Sequence, residues 1–184
     1  MPDVAVIGGG PAGLSAALFT AKNDLDTVVF DTDKTALHYA HLFNYLGLVS
    51  ADGEEFVETG REQLDNFGAT RIEAAVESVS KDPDGFTVRT EDGEERTARY
   101  LVLATGQQRA LADDLGCERN DDGTVVADRN GRTSVEGVYA AGWIARKDKV
   151  QAAISVGDGA AAALDILSAE KGKPFHDFDT PEDV

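Results

Sequence analysis

The sequence predicts an α/β fold, a parallel sheet with helices and a three-stranded antiparallel β-meander, and three observations carry that reading. An apolar run, Val4-Ala5-Val6-Ile7, opens into Gly8-Gly9-Gly10-Pro11-Ala12-Gly13 and then Leu14-Ser15-Ala16-Ala17-Leu18, the order of strand, glycine turn and helix. Short period-2 segments are separated by Asp82-Pro83-Asp84-Gly85 and Glu91-Asp92-Gly93, the turn chemistry of antiparallel hairpins. Tyr100-Leu101-Val102-Leu103-Ala104 is an uninterrupted apolar run, as expected of a strand covered on both faces.

The glycine turn has a mechanical meaning. Gly8 permits the tight turn, Gly10 lets backbone approach a pyrophosphate, and Gly13 lets the helix pack on the strand. The helix N-terminus then presents unpaired N–H groups to an anion. A second run, Thr27-Val28-Val29-Phe30, ends at Asp31, about twenty residues past the turn, where an acid can bond a ribose diol. Residues 32–47, rich in aromatics and histidine without a clean period, read as a loop over a site. From Gly53 to Phe67, Phe56, Val57, Leu64 and Phe67 recur at helical intervals with Glu58, Arg61, Glu62 and Asp65 on the other face, and Gly68 stops the helix.

Residues 69–74 read as a strand, and 76–80, 86–90 and 95–99 as the meander. Gln107–Asn120 is a linker of undefined structure, and Thr133–Gly142 holds a last short buried strand. Lys149–Ser168 is alanine-rich and helical, although Gly157 and Gly159 each cost about 1 kcal/mol unless close packing requires them. The tail from Gly172, with Pro174 and Pro181 among acids, is expected to fray. The 184 residues suit one domain, with segments 1–110 and 121–170 joined by the short linker.

A formal charge of −17, from 34 acidic and 17 basic residues, argues against nucleic-acid or anionic-membrane partners. The acids are scattered, which points to a salt-adapted, halophilic surface. No apolar stretch is expected to reach the length of a membrane span, no signal peptide is visible, and a cytoplasmic location follows. Cys117 is the one cysteine, so these residues hold no CxxC pair and no cysteine-based metal site, and no metal is expected. Its surroundings offer nothing to lower its pKa, so it reads as structural.

The chain resembles the two-dinucleotide-binding-domain flavoproteins and, within them, the thioredoxin reductase group. The GGGPAG turn, Asn44-Tyr45-Leu46-Gly47, Leu103-Ala104-Thr105-Gly106, and Thr133–Gly142 followed by Gln151-Ala152 match in the family's order. The resemblance implies an FAD-binding Rossmann-like domain. It places Gly8, Gly10, Pro11, Ala12 and Gly13 on the pyrophosphate, Asp31 on the adenosine ribose, Val76 along the adenine, and Thr105 and Gly106 beside the dinucleotide. Asn44 and the Gln151-Ala152 backbone fall at the flavin ring, and Gly142-Trp143 stands where the family usually has Gly-Asp. The family's nicotinamide domain, with its CxxC, is inserted after the element that ends at Gly106, where this sequence has only Gln107–Asn120.

The resemblance therefore implies an FAD-dependent oxidoreductase without the disulfide site, passing electrons directly between flavin and an unidentified donor or acceptor. NAD(P)H is a transient donor, His41 (less so His38) a proton relay beside the flavin, and a homodimer the expected assembly. Two other readings stand beside it: a non-catalytic flavin- or nucleotide-binding subunit or sensor, and an NAD(H)-binding Rossmann protein. Solvated loop histidines, a core-filling Trp143 and an exposed cationic cluster at Arg146-Lys147-Asp148-Lys149 are the plainer accounts of those residues.

Overall fold

The computed structural model describes residues 1–180. Its first strand, β1 (Val4–Ile7), is buried along its whole length. The glycine turn then feeds α1 (Pro11–Lys22), with Pro11 at the helix start, where a missing N–H costs nothing. β2 (Thr27–Phe30) follows, and an excursion over residues 36–52 holds a 3₁₀ turn (Ala36–Tyr39) and a two-stranded ribbon of β3 (His41–Leu42) and β4 (Ala51–Asp52). Helix α2 (Gly53–Asn66) leads to β5 (Thr70–Ile72). The meander is β6 (Val76–Asp82), β7 (Gly85–Thr90) and β8 (Glu95–Ala98), and β9 (Tyr100–Leu103) returns to the main sheet. A short α3 (Ala110–Asp114), β10 (Val138–Ala140), a 3₁₀ turn (Gly142–Ala145) and α4 (Ala152–Lys171) complete the described elements.

The main sheet is parallel, in the order β10-β9-β1-β2-β5. Strand β1 is central, and its neighbours come from opposite ends of the chain order, so the carboxyl edge between β1 and β9 is the topological switch point. Alternate residues of β1 feed two cores, as the period of a strand requires. Val4 and Val6 pack with α1, α2 and α4 on one face, whereas Ala5 and Ile7 pack with Phe86 and Val88 of the meander and Ala112 of α3 on the other. Strands on both sides of residues 107–120 share this one sheet.

Helices α1 and α4 cross closely. A Cβ on Gly159 would lie 2.1 Å from the Ala12 carbonyl oxygen, and the Ser15 hydroxyl donates to the Val156 carbonyl at 2.8 Å. Gly157, by contrast, has open space around it.

Several expectations need correction. Residues 107–120 are not featureless: α3 folds there because Ala112 is fully buried on the meander side. The tail is tied down as far as it is described. Gly172, at φ +61°, turns the chain, the Phe175 N–H donates to the Ser168 hydroxyl at 3.0 Å, and Lys22 Nζ meets Asp177 at 2.6 Å and Asp179 at 2.7 Å. Pro181 and the three residues after it lie outside the described residues. Helix α4 has 20 residues and an 18-residue stretch of mean hydropathy 1.3, the length and apolarity of a membrane span, against the expectation of none. Its apolar face is used inside the molecule, where Ala162, Ala163, Ile166 and Leu167 are buried. Its acids are also paired within the molecule, Asp165 with Arg132 and Tyr139, and Asp158 with Arg146. Arg146 is thus ion-paired although its side chain is 40% exposed, and Lys147, Asp148 and Lys149 beside it are exposed.

Candidate functional site: a cradle at the carboxyl edge of the sheet

The switch point is built from backbone. Gly8, at φ +116°, brings the end of β1 so near the end of β9 that a Cβ there would lie 2.3 Å from the Ala104 oxygen. A Cβ on Gly13 would lie 1.8 Å from the Gly8 oxygen, so only glycine lets α1 sit on the turn. Gly10 caps α1 in an extended conformation and no side chain bonds the free N–H groups of the first turn. The same edge receives the start of α4. Gly142, at φ +80°, packs where a Cβ would be 3.0 Å from Ala12 and 3.4 Å from the Ser155 hydroxyl. Helix α4 also begins, at Gln151, without a side-chain cap. Two uncapped helix N-termini thus meet at Gly142, whose own N–H donates to Asp158 Oδ2 at 3.3 Å.

At one end of this edge stands Asp31, 3% exposed. Its Oδ1 accepts the Asp33 N–H at 2.8 Å and its Oδ2 accepts Arg61 Nη2 at 2.8 Å, with Arg71 Nη1 3.7 Å away. Arg61 is a residue that sequence reasoning misplaced on the solvated face of its helix; it is 8% exposed and also bonds Asp33, at 2.5 Å, and Glu58. Its three carboxylate partners outweigh burial and hold its guanidinium above the ordinary arginine range. Arg61, then His38 at 2.8 Å, hold the Asp33 carboxyl below its usual value. Gly9 is also fixed here, because a Cβ would fall 2.1 Å from the Asp31 Cγ.

At the other end Asn44 Nδ2 donates to Gln151 Oε1 at 3.1 Å, joining residues 107 positions apart. The positions named from separate stretches of sequence thus meet at the start of α4. Thr105 bonds the Gln108 carbonyl at 2.5 Å and Gly106 takes φ +60°, which turns the chain away after β9. Trp143 is partly buried in the 3₁₀ turn, and its carbonyl accepts Arg109 Nη2 at 3.5 Å. Arg109 Nε, also missed in the sequence, is buried without a partner among the described residues.

Other positions stand apart from the glycine turn. Val76 begins β6 opposite Thr90 and packs, partly buried, on the meander-side core. His41 Nδ1 lies 2.6 Å from Asp52 Oδ1 across the ribbon, with its ring 4.3 Å from that of Phe43. Cys117 is buried with its Sγ 3.7 Å from the Thr133 hydroxyl, and burial pushes its thiol up. Among the described residues no group of three or more His, Cys, Asp or Glu side chains is placed to hold a metal.

The sequence pattern of the pyridine nucleotide-disulphide oxidoreductases matches residues 2–109 and again 69–157. The chain belongs to that family. A thioredoxin reductase of Claviceps purpurea is 38% identical over 118 residues, 60% of this chain and 36% of that protein. One of Helicobacter pylori is 33% identical over 111 residues, 58% and 36% of the two chains. A ferredoxin–NADP reductase of Bacillus mycoides is 30% identical over 112 residues, 56% and 32%. The family member described here thus spans about a third of the length of the curated relatives it matches. The solved thioredoxin reductase of Gloeobacter violaceus has the same fold, with a TM-score of 0.88 at 21% identity over 97% of this chain and 99% of its own.

Proposed function

We propose that the chain binds FAD along the carboxyl edge of its sheet and acts as an oxidoreductase that needs no cysteine pair of its own. The observation that carries the reading is the hydrogen bond between Asn44 and Gln151. It gives the cradle a second polar end, at the start of α4, for which a plain NAD-binding turn has no use.

The residues fit such a cofactor. The uncapped turn over Gly8, Gly10, Pro11, Ala12 and Gly13 has backbone N–H groups for a pyrophosphate, and the close approaches at Gly8 and Gly13 keep side chains out of that space. Asp31 accepts from the adenosine ribose, Val76 lines the adenine, and Thr105 and Gly106 run beside the dinucleotide. Gly142 and Trp143 contribute backbone at the middle of the molecule, where Trp143 has no carboxylate to offer. When bound, FAD supplies the electron-transfer chemistry. Asn44 orients the flavin end, and the free N–H groups at Gln151-Ala152 stabilise negative charge there. His41, with Nδ1 engaged by Asp52, keeps Nε2 for proton exchange.

The donor in this reading is NAD(P)H or a reduced protein, and the acceptor takes electrons without passing through a disulfide of this chain. Tyr39, Phe43, Leu46 and Val49 are exposed around Asn44, an apolar rim suited to protein contact, and a cytoplasmic homodimer is part of the reading. A non-catalytic flavin-binding subunit or sensor is the second reading. Purified protein should be yellow, with oxidised-flavin bands, and should release FAD on denaturation. A colourless protein that cannot be reconstituted with FAD overturns both readings, and flavin binding without NAD(P)H-driven reduction of artificial acceptors selects the second.

A further inference from the structure

We infer that Arg61 is the positioning residue of the ribose site: it holds Asp31 in place as an acceptor for the hydroxyls of an adenosine diphosphate group. The inference rests on the dinucleotide reading of the cradle but assigns a residue outside the glycine turn, 30 positions from the acid it serves.

The argument is one of hydrogen-bonding capacity. An ionised carboxylate offers about four acceptor positions. Asp31 spends one on the Asp33 N–H and one on Arg61, and two remain, the number a ribose diol needs. With 3% exposure, this carboxylate has almost no water to orient it, so its aim depends on the hydrogen bond from the guanidinium. Without Arg61 the carboxylate would lose the only side-chain donor that holds its Oδ2 among the described residues, and could turn away from the diol. Arg71, 3.7 Å from Asp31, is too distant to bond and supplies charge only.

Arg61 also governs the chain above the turn. Through Asp33, which sits at φ +55° and is held in turn by His38, it fixes the segment that carries Thr35. A Cβ on Gly10 would lie 3.2 Å from the Thr35 hydroxyl, so this segment borders the pyrophosphate turn. The Arg61 Nε is buried without a partner among the described residues, a spare donor in this network. Because Asp31, Asp33 and Glu58 consume its charge, Arg61 does not attract a 2′-phosphate; the ligand class is adenosine with a free 2′-hydroxyl.

The test measures binding of ADP, 2′-deoxy-ADP and FAD to the full chain and to Arg61→Gln and Arg61→Lys, with folding followed by circular dichroism. The native chain should prefer ADP to 2′-deoxy-ADP by about tenfold or more. Arg61→Gln should bring that ratio close to one. His38, Asp33, Glu58 and Arg71 face the same site and are unchanged in both proteins. Arg61→Lys keeps the charge and carries the test if the glutamine variant does not fold; it should recover part of the ratio. A folded variant of either kind with the native ratio overturns the inference. A native chain that binds FAD without distinguishing the two nucleotides overturns it alone, whereas one that binds none of the three overturns the cofactor reading with it.

Discussion

Cys117 is 6% exposed, and with its thiol pushed up by burial the nucleophilic thiolate is scarce at neutral pH. A residue in that state neither attacks a disulfide nor stores an electron pair, so Cys117→Ser should leave the steady-state reduction of artificial acceptors by NADH and NADPH unchanged. Loss of turnover in a folded mutant would show that the thiol participates. The residues around the cradle differ in how far the sequence exposes them. Gly8, Gly10 and Gly13 are legible because their reasons are local: a turn and a helix start within six residues encode them. Gly9 and Arg61 are not, because the side chain that constrains both is Asp31, brought beside them only by the tertiary fold. The helical period put Arg61 with Glu58, Glu62 and Asp65 and carried no sign that one of the four faces inward. Asn44 and Gln151 were found through resemblance alone; nothing in either stretch predicts that they touch.

The crossing of α1 and α4 explains a feature of the sequence that helix propensity alone disfavours. Gly159 sits where a Cβ would press on the backbone of α1, 2.1 Å from the Ala12 oxygen and 3.0 Å from the Ala16 nitrogen, and backbone cannot swing aside. Gly159→Ala should therefore cost about 2–3 kcal/mol in stability, seen as a lowered Tm, and should weaken FAD binding because Ala12 belongs to the glycine turn. Gly157→Ala meets nothing within 4 Å and should instead raise stability by about 0.5–1 kcal/mol. Equal effects of the two substitutions would mean that the crossing does not constrain the helix. Long elements were readable at this scale: the buried strands as apolar runs, α2 and α4 as periodic or alanine-rich segments, the meander from its turn residues. Short α3 was not, since five residues carry too little period, and the anchored tail was missed because its hold is an ion pair to Lys22 on a distant helix.

At the scale of the whole molecule the governing quantity is the formal charge of −17. The arginine ion pairs are fixed contacts between near neighbours, whereas the surplus carboxylates repel one another across the surface, and only that repulsion depends strongly on salt. The screening length falls from about 10 Å at 0.1 M to about 3 Å at 1 M, so molar salt removes most interactions between separated surface charges and leaves the close pairs. Tm should therefore climb as sodium chloride is raised from dilute buffer to molar concentrations, and the protein should unfold most readily when salt is removed. Acidification provides an independent check with a definite sign. Lowering pH toward 5 in dilute buffer neutralises part of the surplus and should stabilise the fold. Further acid should reverse the gain. The carboxyls of Asp33, Asp113 and Glu170 are held low chiefly by hydrogen bonds from Arg61, Arg119 and Arg99 respectively. A carboxyl whose folded pKa lies below its unfolded value contributes stability above the unfolded value and loses it as pH falls through the folded one, which for these groups lies below the ordinary carboxylate range. At low salt the dependence of Tm on pH should thus pass through a maximum, and in molar salt the rise on its neutral side should vanish while the acid-side fall remains. A Tm that is the same in dilute and molar salt at neutral pH would refute the surface-charge account.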